Sequence, residues 1–257
     1  MMIKTYVISL KDEIVRRNSI SKQIEKIFFE FEYIDAVDFR MASSDLLERH
    51  THKYKVGSIR RRLTKGEVGC ALSHFKCYQS FLSDNFDWAW VIEDDADLSR
   101  LTNDSVEKII SLVAENNIDV VILGYSKLSK NEELDFYKFE PIRKLFVSEH
   151  FALGEPWKNW TCGTVSYLIS KSGAKKMLDY FSDGKVITVA DDWMFFEKNI
   201  GLNITHLRPL LVFEDFIRFQ SALEIERAAV SKNKIAIMKS IKVLRGYFRA
   251  LLMKTVL

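Results

Sequence analysis

The chain has 257 residues, 47% of them hydrophobic and 28% charged, with a formal net charge of +3. Three prolines and ten glycines exclude collagen-like and low-complexity chains, and the apolar fraction excludes intrinsic disorder. So small a net charge gives no indication of a nucleic-acid partner. The length suits one α/β domain with a C-terminal appendage.

Cysteine content and hydropathy bear on the compartment. Cys70, Cys77 and Cys162 form no Cys-x-x-Cys pair, so a disulfide framework is not expected. The apolar opening of the chain is too short for a secretory signal, and no run of about eighteen apolar residues could span a membrane. We therefore expect a cytoplasmic protein.

The N-terminal part predicts a β-α-β unit. Residues 3–10 are typical of a buried strand, residues 12–28 carry isoleucines at helical spacing, and residues 29–37 are typical of a second strand. Strands joined by a helical crossover run parallel. The chain should therefore open with a parallel strand pair, followed by an irregular basic segment at 40–62.

A helix is predicted over residues 65–82, where Thr64 and Glu67 have the spacing of a capping box. Its polar face carries four side chains able to bind a metal: Glu67, Cys70, His74 and Cys77. A zinc site is one hypothesis for this face. Cysteines packed beside a hydrogen-bonded histidine are the alternative, and a wall of the active site formed by Glu67 and His74 is the interpretation we prefer.

From residue 88 onward, strand and helix patterns alternate. Strands are predicted at 88–92, 118–123, 164–169 and 204–213. Helices are predicted at 104–116 and from residues 172 and 190 onward. Alternation of this kind is typical of one α/β sheet domain, for which we set the bounds 1–226.

The C-terminal segment, 227–257, predicts a basic amphipathic helix. Its apolar residues lie at helical spacing: Ile237, Met238, Ile241, Leu244, Phe248 and Leu251. Its other side is basic: Lys239, Lys242, Arg245 and Arg249. Such a helix is typical of an anchor on an anionic membrane surface. Docking on its own domain or on a second copy of the chain are the alternatives.

The acidic run at 93–97 directly follows the apolar strand predicted at 88–92. Ligands of open α/β sheets bind at the carboxyl ends of strands, and Mg²⁺ and Mn²⁺ prefer oxygen ligands. In an extended chain Glu93 and Asp95 point to one side and Asp94 to the other. A solvated acidic turn is the alternative, but the preceding strand favours a metal site.

Six segments occur in a characteristic order along residues 3–222. They are Tyr-Val-Ile-Ser-Leu-Lys with Arg16-Arg17, then Ala36-Val37-Asp38, the stretch 63–74, Val-Ile-Glu-Asp-Asp at 91–95, the stretch 167–174, and Asp191-Asp192. In this combination they resemble glycosyltransferase family 25, which includes the bacterial lipooligosaccharide biosynthesis transferases.

The resemblance implies a GT-A-like fold, a single Rossmann-type nucleotide-sugar-binding domain. It implies a UDP-hexose donor, with galactose the expected sugar, and transfer with inversion to a lipid-linked oligosaccharide of lipopolysaccharide. Arg16 would lie near the pyrophosphate and Asp38 near the nucleoside. The glycine that usually follows Ala-Val-Asp is Phe39 here, a departure that bears on the nucleoside assignment.

The same resemblance assigns roles in the reaction. Glu93 and Asp95 would bind Mn²⁺ or Mg²⁺, with Asp94 near the ribose and Asp97 peripheral. Of the later acidic pair, Asp192 is our candidate for the general base and Asp191 for orienting the acceptor, with the reverse assignment as the alternative. Helix capping is the alternative explanation for such a pair.

Several other side chains are weaker candidates. His74 could bind donor phosphate or the acceptor hydroxyl. His206 could be a late metal ligand, although an ordinary hydrogen-bonded strand histidine is the preferred interpretation. Trp157, Trp160 and Tyr167 could stack on a sugar or belong to the core.

Two other classes of protein remain open from the sequence. A metal-dependent phosphohydrolase would use clustered aspartates, but no His-x-Asp pair accompanies them. A membrane-docking module with a calcium-binding turn would need ligand spacing that is absent. The sequence therefore favours a membrane-associated transferase on the cytoplasmic face of the inner membrane.

Overall fold

The computed structural model describes residues 2–27, 30–52, 57–59, 61–114, 116–216, 218–219 and 238–253. Within these ranges the strands are β1 (Ile3–Ser9), β2 (Phe31–Asp35), β3 (Trp88–Glu93), β4 (Ala96–Asp97), β5 (Val120–Ile122), β6 (Gly124–Tyr125), β7 (Ile142–Val147), β8 (Ala152–Pro156), β9 (Ser166–Ser170), β10 (Ile204–Arg208) and β11 (Val212–Glu214). The helices are α1 (Ile14–Lys26), α2 (Ser44–Arg49), α3 (Lys65–Ser83), α4 (Asn103–Ala114), α5 (Glu133–Phe139), α6 (Lys171–Tyr180), α7 (Trp193–Ile200) and α8 (Met238–Leu252).

The strands form two sheets. The central sheet has the order β2-β1-β3-β9-β5-β10-β8-β7, and a small sheet has the order β4-β11-β6. Strand β1 pairs in parallel with β2 and β3, which confirms the predicted parallel opening. Strand β9 lies antiparallel between β3 and β5. The expected Rossmann-type sheet is therefore corrected to a mixed α/β sheet.

The reversed direction of β9 matters for the site. The preceding segment brings the chain back to the end of the sheet at which β3 stops, so that Ser166 pairs with Ile92. Thr164, just before β9, consequently donates a hydrogen bond to Glu93 Oε1 at the end of β3. If β9 ran parallel to β3, its start and the residues before it would lie at the other end of the strands, away from Glu93.

Helices cover both faces of the central sheet. Successive strand residues point to opposite faces, so Val91 and Tyr167 pack into one apolar layer with α3, α6 and α7. Trp90 and Leu168 pack into the other layer with α1 and α4. Burial on both faces explains why β3 is an unbroken apolar run rather than an alternating one.

Helix α3 begins as the sequence predicts. The Thr64 hydroxyl accepts from the Glu67 amide at 3.2 Å, and Glu67 Oε2 accepts from the Thr64 amide at 2.9 Å, which confirms the capping box. The Glu67 carboxylate, only 1% exposed, also receives two hydrogen bonds from Arg61. This carboxylate therefore fixes both the start of α3 and the adjacent arginine.

Some elements differ from their predicted bounds. The segment 204–213 is two strands, β10 and β11, in different sheets, because Pro209 between them has no amide to donate. The hairpin of β7 and β8 was not predicted, since the mostly exposed residues of β7 carry no strong apolar pattern. Helix α5 was also not predicted, and α2 lies within the segment 40–62 that was expected to be irregular.

The C-terminal helix α8 contacts α5 through small residues rather than its apolar stripe. A Cβ on Gly246 would lie 1.9 Å from the Lys138 carbonyl oxygen, so close an approach requires glycine. Glu140 accepts hydrogen bonds from Arg245 and Arg249. The helix thus docks on its own domain, one of the two alternatives to membrane binding. Ile237 and the segment before it lie outside the described residues.

Docking leaves three residues of the apolar stripe of α8 exposed. Leu244, Phe248 and Leu251 are 70%, 61% and 74% exposed. Among the residues described, no helix combines the length and the apolar character needed to cross a bilayer. The domain bounds 1–226 and 227–257 remain a prediction.

Candidate active site

A cavity of about 540 Å³ opens where β1 and β3 end. Its walls come from the end of β1, the loop at 36–40, the start of α3, and the segments at 126–127, 161–164 and 189–191. Most predicted site residues line it: Arg16, Asp38, Glu93, Asp94, Asp95 and Asp191. The other two, His74 and Asp192, are buried behind these walls, 2% and 1% exposed.

Three consecutive carboxylates face this cavity. Glu93 ends β3, and Asp94 and Asp95 form the turn before β4. Asp94 therefore does not point away from its neighbours, which corrects the extended-chain prediction: alternation holds only within a strand. Ser9 Oγ donates to Asp94 Oδ2 at 2.6 Å, and Arg16 Nη1 lies 3.1 Å from Asp94 Oδ1 and 3.2 Å from Asp95 Oδ2.

A fourth carboxylate, Glu214, joins them from β11. Glu214 is paired in register with Ala96 across the small sheet, and the Asp215 amide donates to the Asp95 carbonyl at 2.8 Å. The Lys127 amide donates to Glu214 Oε2 at 2.9 Å. Sequence reasoning missed Glu214, although an acidic residue directly after an apolar strand was the same signal that identified Glu93.

The electrostatics of this group favour a bound cation. Burial raises the pKa of Asp95 well above its ordinary value, and the negative charges of Glu93, Glu214 and Asp94 raise it further, against the opposing effect of Arg16. Burial likewise raises the pKa of Asp94. Among the described residues, the buried Asp95 Oδ1 has no hydrogen-bond partner. An oxygen-rich group with one unsatisfied buried oxygen fits Mn²⁺ or Mg²⁺.

The second acidic pair divides into two environments. Asp191 lines the cavity, and its Oδ2 accepts a hydrogen bond from the Gly163 amide at 2.8 Å. Asp192 is the N-cap of α7, where Oδ1 accepts from the Phe195 amide. The capping explanation thus holds for Asp192, and the cavity is reached by Asp191.

Asp192 also organises the loop around it. Its Oδ2 accepts from the Ser58 amide at 2.7 Å and from the Thr188 hydroxyl. A Cβ on Gly57 would lie 2.2 Å from the Thr188 side chain and 2.7 Å from Asp192 Oδ2, so this contact needs glycine. These partners engage both carboxylate oxygens of Asp192, and its side chain does not line the cavity.

Asp38, the residue predicted to lie near the nucleoside, lines the cavity at the loop after β2. Asp38 accepts from both the backbone and the guanidinium of Arg40, hydrogen bonds that lower its pKa. Phe39, at the position where glycine was expected, is 6% exposed and packs edge-on against His50. Its φ is not in the left-handed region, so this backbone does not require glycine.

The remaining candidates are resolved by their contacts. His206 is fully buried, with Nδ1 2.6 Å from the Tyr125 hydroxyl and Nε2 2.7 Å from Asn159 Oδ1. It is the hydrogen-bonded strand histidine of the preferred interpretation. Tyr167 is a buried core residue, and Trp160 is partly buried, stacks on His206 and packs against the core. Trp157 is 42% exposed and does not line the cavity. Asp97 pairs with Lys130 at 2.5 Å and does not line the cavity, as predicted.

Comparison with known proteins defines the class. The profile of Glycosyltransferase family 25 (LPS biosynthesis protein) matches residues 2–195. A Haemophilus influenzae protein, named as an inferred glycosyltransferase, is 28% identical over 250 residues, 92% of this chain and 82% of that protein. The chain therefore belongs to glycosyltransferase family 25, and the resemblance seen in its sequence is confirmed.

More distant similarities are narrower in what they show. Procollagen galactosyltransferase 1-B of Xenopus laevis is 27% identical over 192 residues, 72% of this chain but only 30% of that protein. The Drosophila β1,4-galactosyltransferase 7 complex with manganese, UDP-Gal and xylobiose superposes with a TM-score of 0.39 at 10% identity, covering 92% of this chain and 82% of that one. A structural similarity this weak supports no conclusion about the fold or the ligands of this chain.

Proposed function

We propose that this protein is a divalent-metal-dependent transferase of GT-A-like design that moves a hexose from a UDP-sugar to a lipooligosaccharide acceptor with inversion. The main support is the position of Asp95 among other carboxylates of the cavity. Its buried Oδ1 has no hydrogen-bond partner within the described part of the chain. The family's description as an LPS biosynthesis protein supports the acceptor class. The name of the galactosyltransferase relative supports galactose as the sugar.

The donor would bind across the end of the sheet. Glu93, Asp95 and Glu214 are the proposed ligands of Mn²⁺ or Mg²⁺, an ion that neutralises charge developing on a leaving diphosphate. Arg16, which is hydrogen-bonded to Asp94, would contact the diphosphate. Asp94, which also accepts a hydrogen bond from Ser9, would contact the ribose. Asp38 remains the proposed nucleoside residue. His74 lies beside the proposed metal ligand Glu93, with its Nε2 3.4 Å from Glu93 Oε1.

The chemical step needs a base on the acceptor side. Asp191 lines the cavity and its Oδ2 accepts a hydrogen bond from the Gly163 amide, so we propose it as the base in place of Asp192. In the proposed reaction its carboxylate takes the proton of the acceptor hydroxyl as that oxygen bonds to the anomeric carbon. The bond to the diphosphate breaks on the other face, and its electron pair leaves with the diphosphate.

A donor panel tests the proposal. We expect the purified chain with Mn²⁺ to bind and slowly hydrolyse UDP-galactose in preference to UDP-glucose, UDP-N-acetylhexosamines and GDP-mannose, because the site is proposed to fit UDP and one hexose. Chelation with EDTA should abolish turnover and be reversed by added Mn²⁺. Failure of every nucleotide sugar to bind with either Mn²⁺ or Mg²⁺ would exclude the proposed function.

We also propose that α8 associates with the cytoplasmic face of the inner membrane, where a lipid-linked acceptor would be presented. The support is the outward position of Leu244, Phe248 and Leu251. On the basic side Lys242 is exposed, while Arg245 and Arg249 are bound to Glu140. Anionic lipid attracts each basic residue near the surface by about 1 kcal/mol.

Vesicle co-sedimentation tests this association. The double variant Leu244→Glu and Phe248→Glu should bind vesicles containing phosphatidylserine about tenfold less than the wild type, or weaker still, because two large apolar side chains no longer insert. Val147→Glu is the matched control, an exposed apolar residue, 67% accessible, on β7. Equal pelleting of all three proteins would contradict the proposal.

A further inference from the structure

The wall of the cavity between α3 and β3 contains a second set of metal-ligating atoms. The ligand atoms of Cys70, His74 and Glu93 all lie within 4.8 Å of one another. Tetrahedral zinc with bonds of about 2.0–2.3 Å places its ligands about 3.3–3.8 Å apart. His74 Nε2 and Glu93 Oε1 are already 3.4 Å apart, so small side-chain rotations would close the set around one ion.

We propose that Cys70, His74 and Glu93 form a binding site for a thiolate-preferring divalent cation such as Zn²⁺. The sequence hypothesis had drawn its zinc ligands from one helix, including Cys77. The structure separates Cys77 from the group, because Cys77 is fully buried in the core, and supplies Glu93 from β3 instead. The proposed site is thus distinct in composition from the all-oxygen group around Asp95.

The histidine is oriented for this role from behind. His74 Nδ1 lies 2.7 Å from the Tyr167 hydroxyl, which lies 2.7 Å from the Tyr78 hydroxyl, and all three groups are buried. Metal-binding histidines are held by a hydrogen bond to the other ring nitrogen. With the Nδ1 hydrogen donated to Tyr167, the lone pair of Nε2 points toward Glu93.

Access and selectivity follow from the position of the site. Cys70 and Glu93 both line the cavity, so an ion can enter from solvent and a water or substrate oxygen can complete its coordination. Sulfur and imidazole ligands favour Zn²⁺ over Mn²⁺ and Mg²⁺. The site formed by Cys70, His74 and Glu93 would therefore prefer Zn²⁺, and the oxygen-rich group around Asp95 would prefer Mn²⁺ or Mg²⁺.

The two sites share Glu93, which has a functional consequence that rests on the proposed function. A zinc ion bound to Cys70 and His74 draws the Glu93 carboxylate away from the donor's cation. Zinc should therefore inhibit transfer, and higher Mn²⁺ should raise the zinc concentration needed. Binding of zinc itself does not depend on what the enzyme transfers.

Cobalt titration of the full chain tests the site directly. Co²⁺ bound to a thiolate in tetrahedral geometry gives a near-ultraviolet charge-transfer band, and we expect one equivalent in the wild type, displaced by Zn²⁺. Cys70→Ser should lose the band. Cys162→Ser is the matched control, since Cys162 also lines the cavity but lies outside the group, and should keep it. Absence of the band in the wild type, or its persistence in Cys70→Ser, would overturn the proposal.

Two further measurements test zinc binding and zinc inhibition of transfer separately. Tyr167→Phe removes the hydroxyl behind His74 and should weaken zinc affinity by about 10–100-fold. Zinc inhibition, expressed for each variant relative to its own activity without zinc, should disappear in Cys70→Ser and remain in Cys162→Ser. A cobalt band without any zinc inhibition would uphold the site and overturn the shared role of Glu93 in donor binding.

Discussion

Asp191→Asn is expected to lower kcat for sugar transfer by about 10²–10⁴-fold, the usual contribution of a general base. Asparagine has the same shape and keeps a carbonyl oxygen that can accept from the Gly163 amide, but it cannot take a proton from the acceptor. Donor binding, followed by titration with UDP, should change little because Asp191 is not among the residues proposed to hold the donor. The melting temperature should also stay close to that of the wild type.

The matched variant is Asp192→Asn, one residue further on. Asparagine still caps α7, but its amide nitrogen can accept neither the hydrogen bond from the Ser58 amide nor the one from the Thr188 hydroxyl. Each buried donor left without an acceptor costs about 1–3 kcal/mol, and each kcal/mol lowers the melting temperature by about 2–4 °C at this chain length. The main effect should therefore be on stability.

This pair of variants distinguishes the two assignments. A loss of kcat in Asp191→Asn with an unchanged melting temperature, together with a lower melting temperature in Asp192→Asn, supports Asp191 as the base. If Asp192→Asn instead lost activity to the larger extent without any loss of stability, the original assignment of the base to Asp192 would stand.

The elements that the sequence predicted well are those with a local signal. The capping box of Thr64 and Glu67, the apolar run of β3 and the acidic turn after it are all set by neighbours in the sequence, and each was found within a few residues of its predicted position. Most of the cavity-lining candidates could be named in advance for the same reason, since they follow strands or open helices.

The elements that were missed depend on contacts between distant segments. The direction of β9 is set by how the chain returns after β8, which no local pattern records. Glu214 reaches the site only because β11 pairs with β4, more than one hundred residues earlier in the chain. The separate environments of Asp191 and Asp192 likewise arise from the Gly163 amide and the loop at 57–59. Tertiary pairing, rather than periodicity, decides such features.

Asp95→Asn is expected to abolish transfer and, at the same time, to raise the stability of the protein measured in EDTA. The activity is lost because a neutral amide is a poor ligand for Mn²⁺ and leaves the leaving diphosphate unscreened, at a cost of at least about 10²-fold. The stability rises because a charge that the fold buries at a cost has been removed. Stabilising single substitutions commonly contribute about 0.5–2 kcal/mol, and a gain within this range is expected here.

The raised pKa of Asp95 determines how the stability difference between the wild type and Asp95→Asn varies with pH. The folded pKa of Asp95 is raised above the ordinary 3.8, so between these two values the folded protein binds more protons than the unfolded chain. The free energy of unfolding then falls as pH rises from the ordinary pKa through the folded one. The melting temperatures of the wild type and Asp95→Asn should therefore differ little below pH 3.8 and most at neutral pH.

Asp97→Asn is the matched control from the same acidic run. Burial raises the pKa of Asp97, but hydrogen bonds from Lys130 and Ser99 outweigh burial and bring it below the ordinary value. The stabilisation by Asp97 is therefore present at neutral pH and lost as pH falls. Asp97→Asn should thus lower the melting temperature at pH 7, the reverse of Asp95→Asn, and should keep transfer activity because Asp97 does not line the cavity.

Added Mn²⁺ completes the comparison between the two variants. A ligand that binds only the folded state stabilises it by an amount that grows with the logarithm of the ratio of free ligand concentration to Kd. Mn²⁺ should therefore raise the melting temperature of the wild type and of Asp97→Asn, but not that of Asp95→Asn, and so reduce the difference seen in EDTA. An equal Mn²⁺-induced rise in all three proteins would show that Asp95 is not a ligand, and the buried oxygen at the end of β3 would need another explanation.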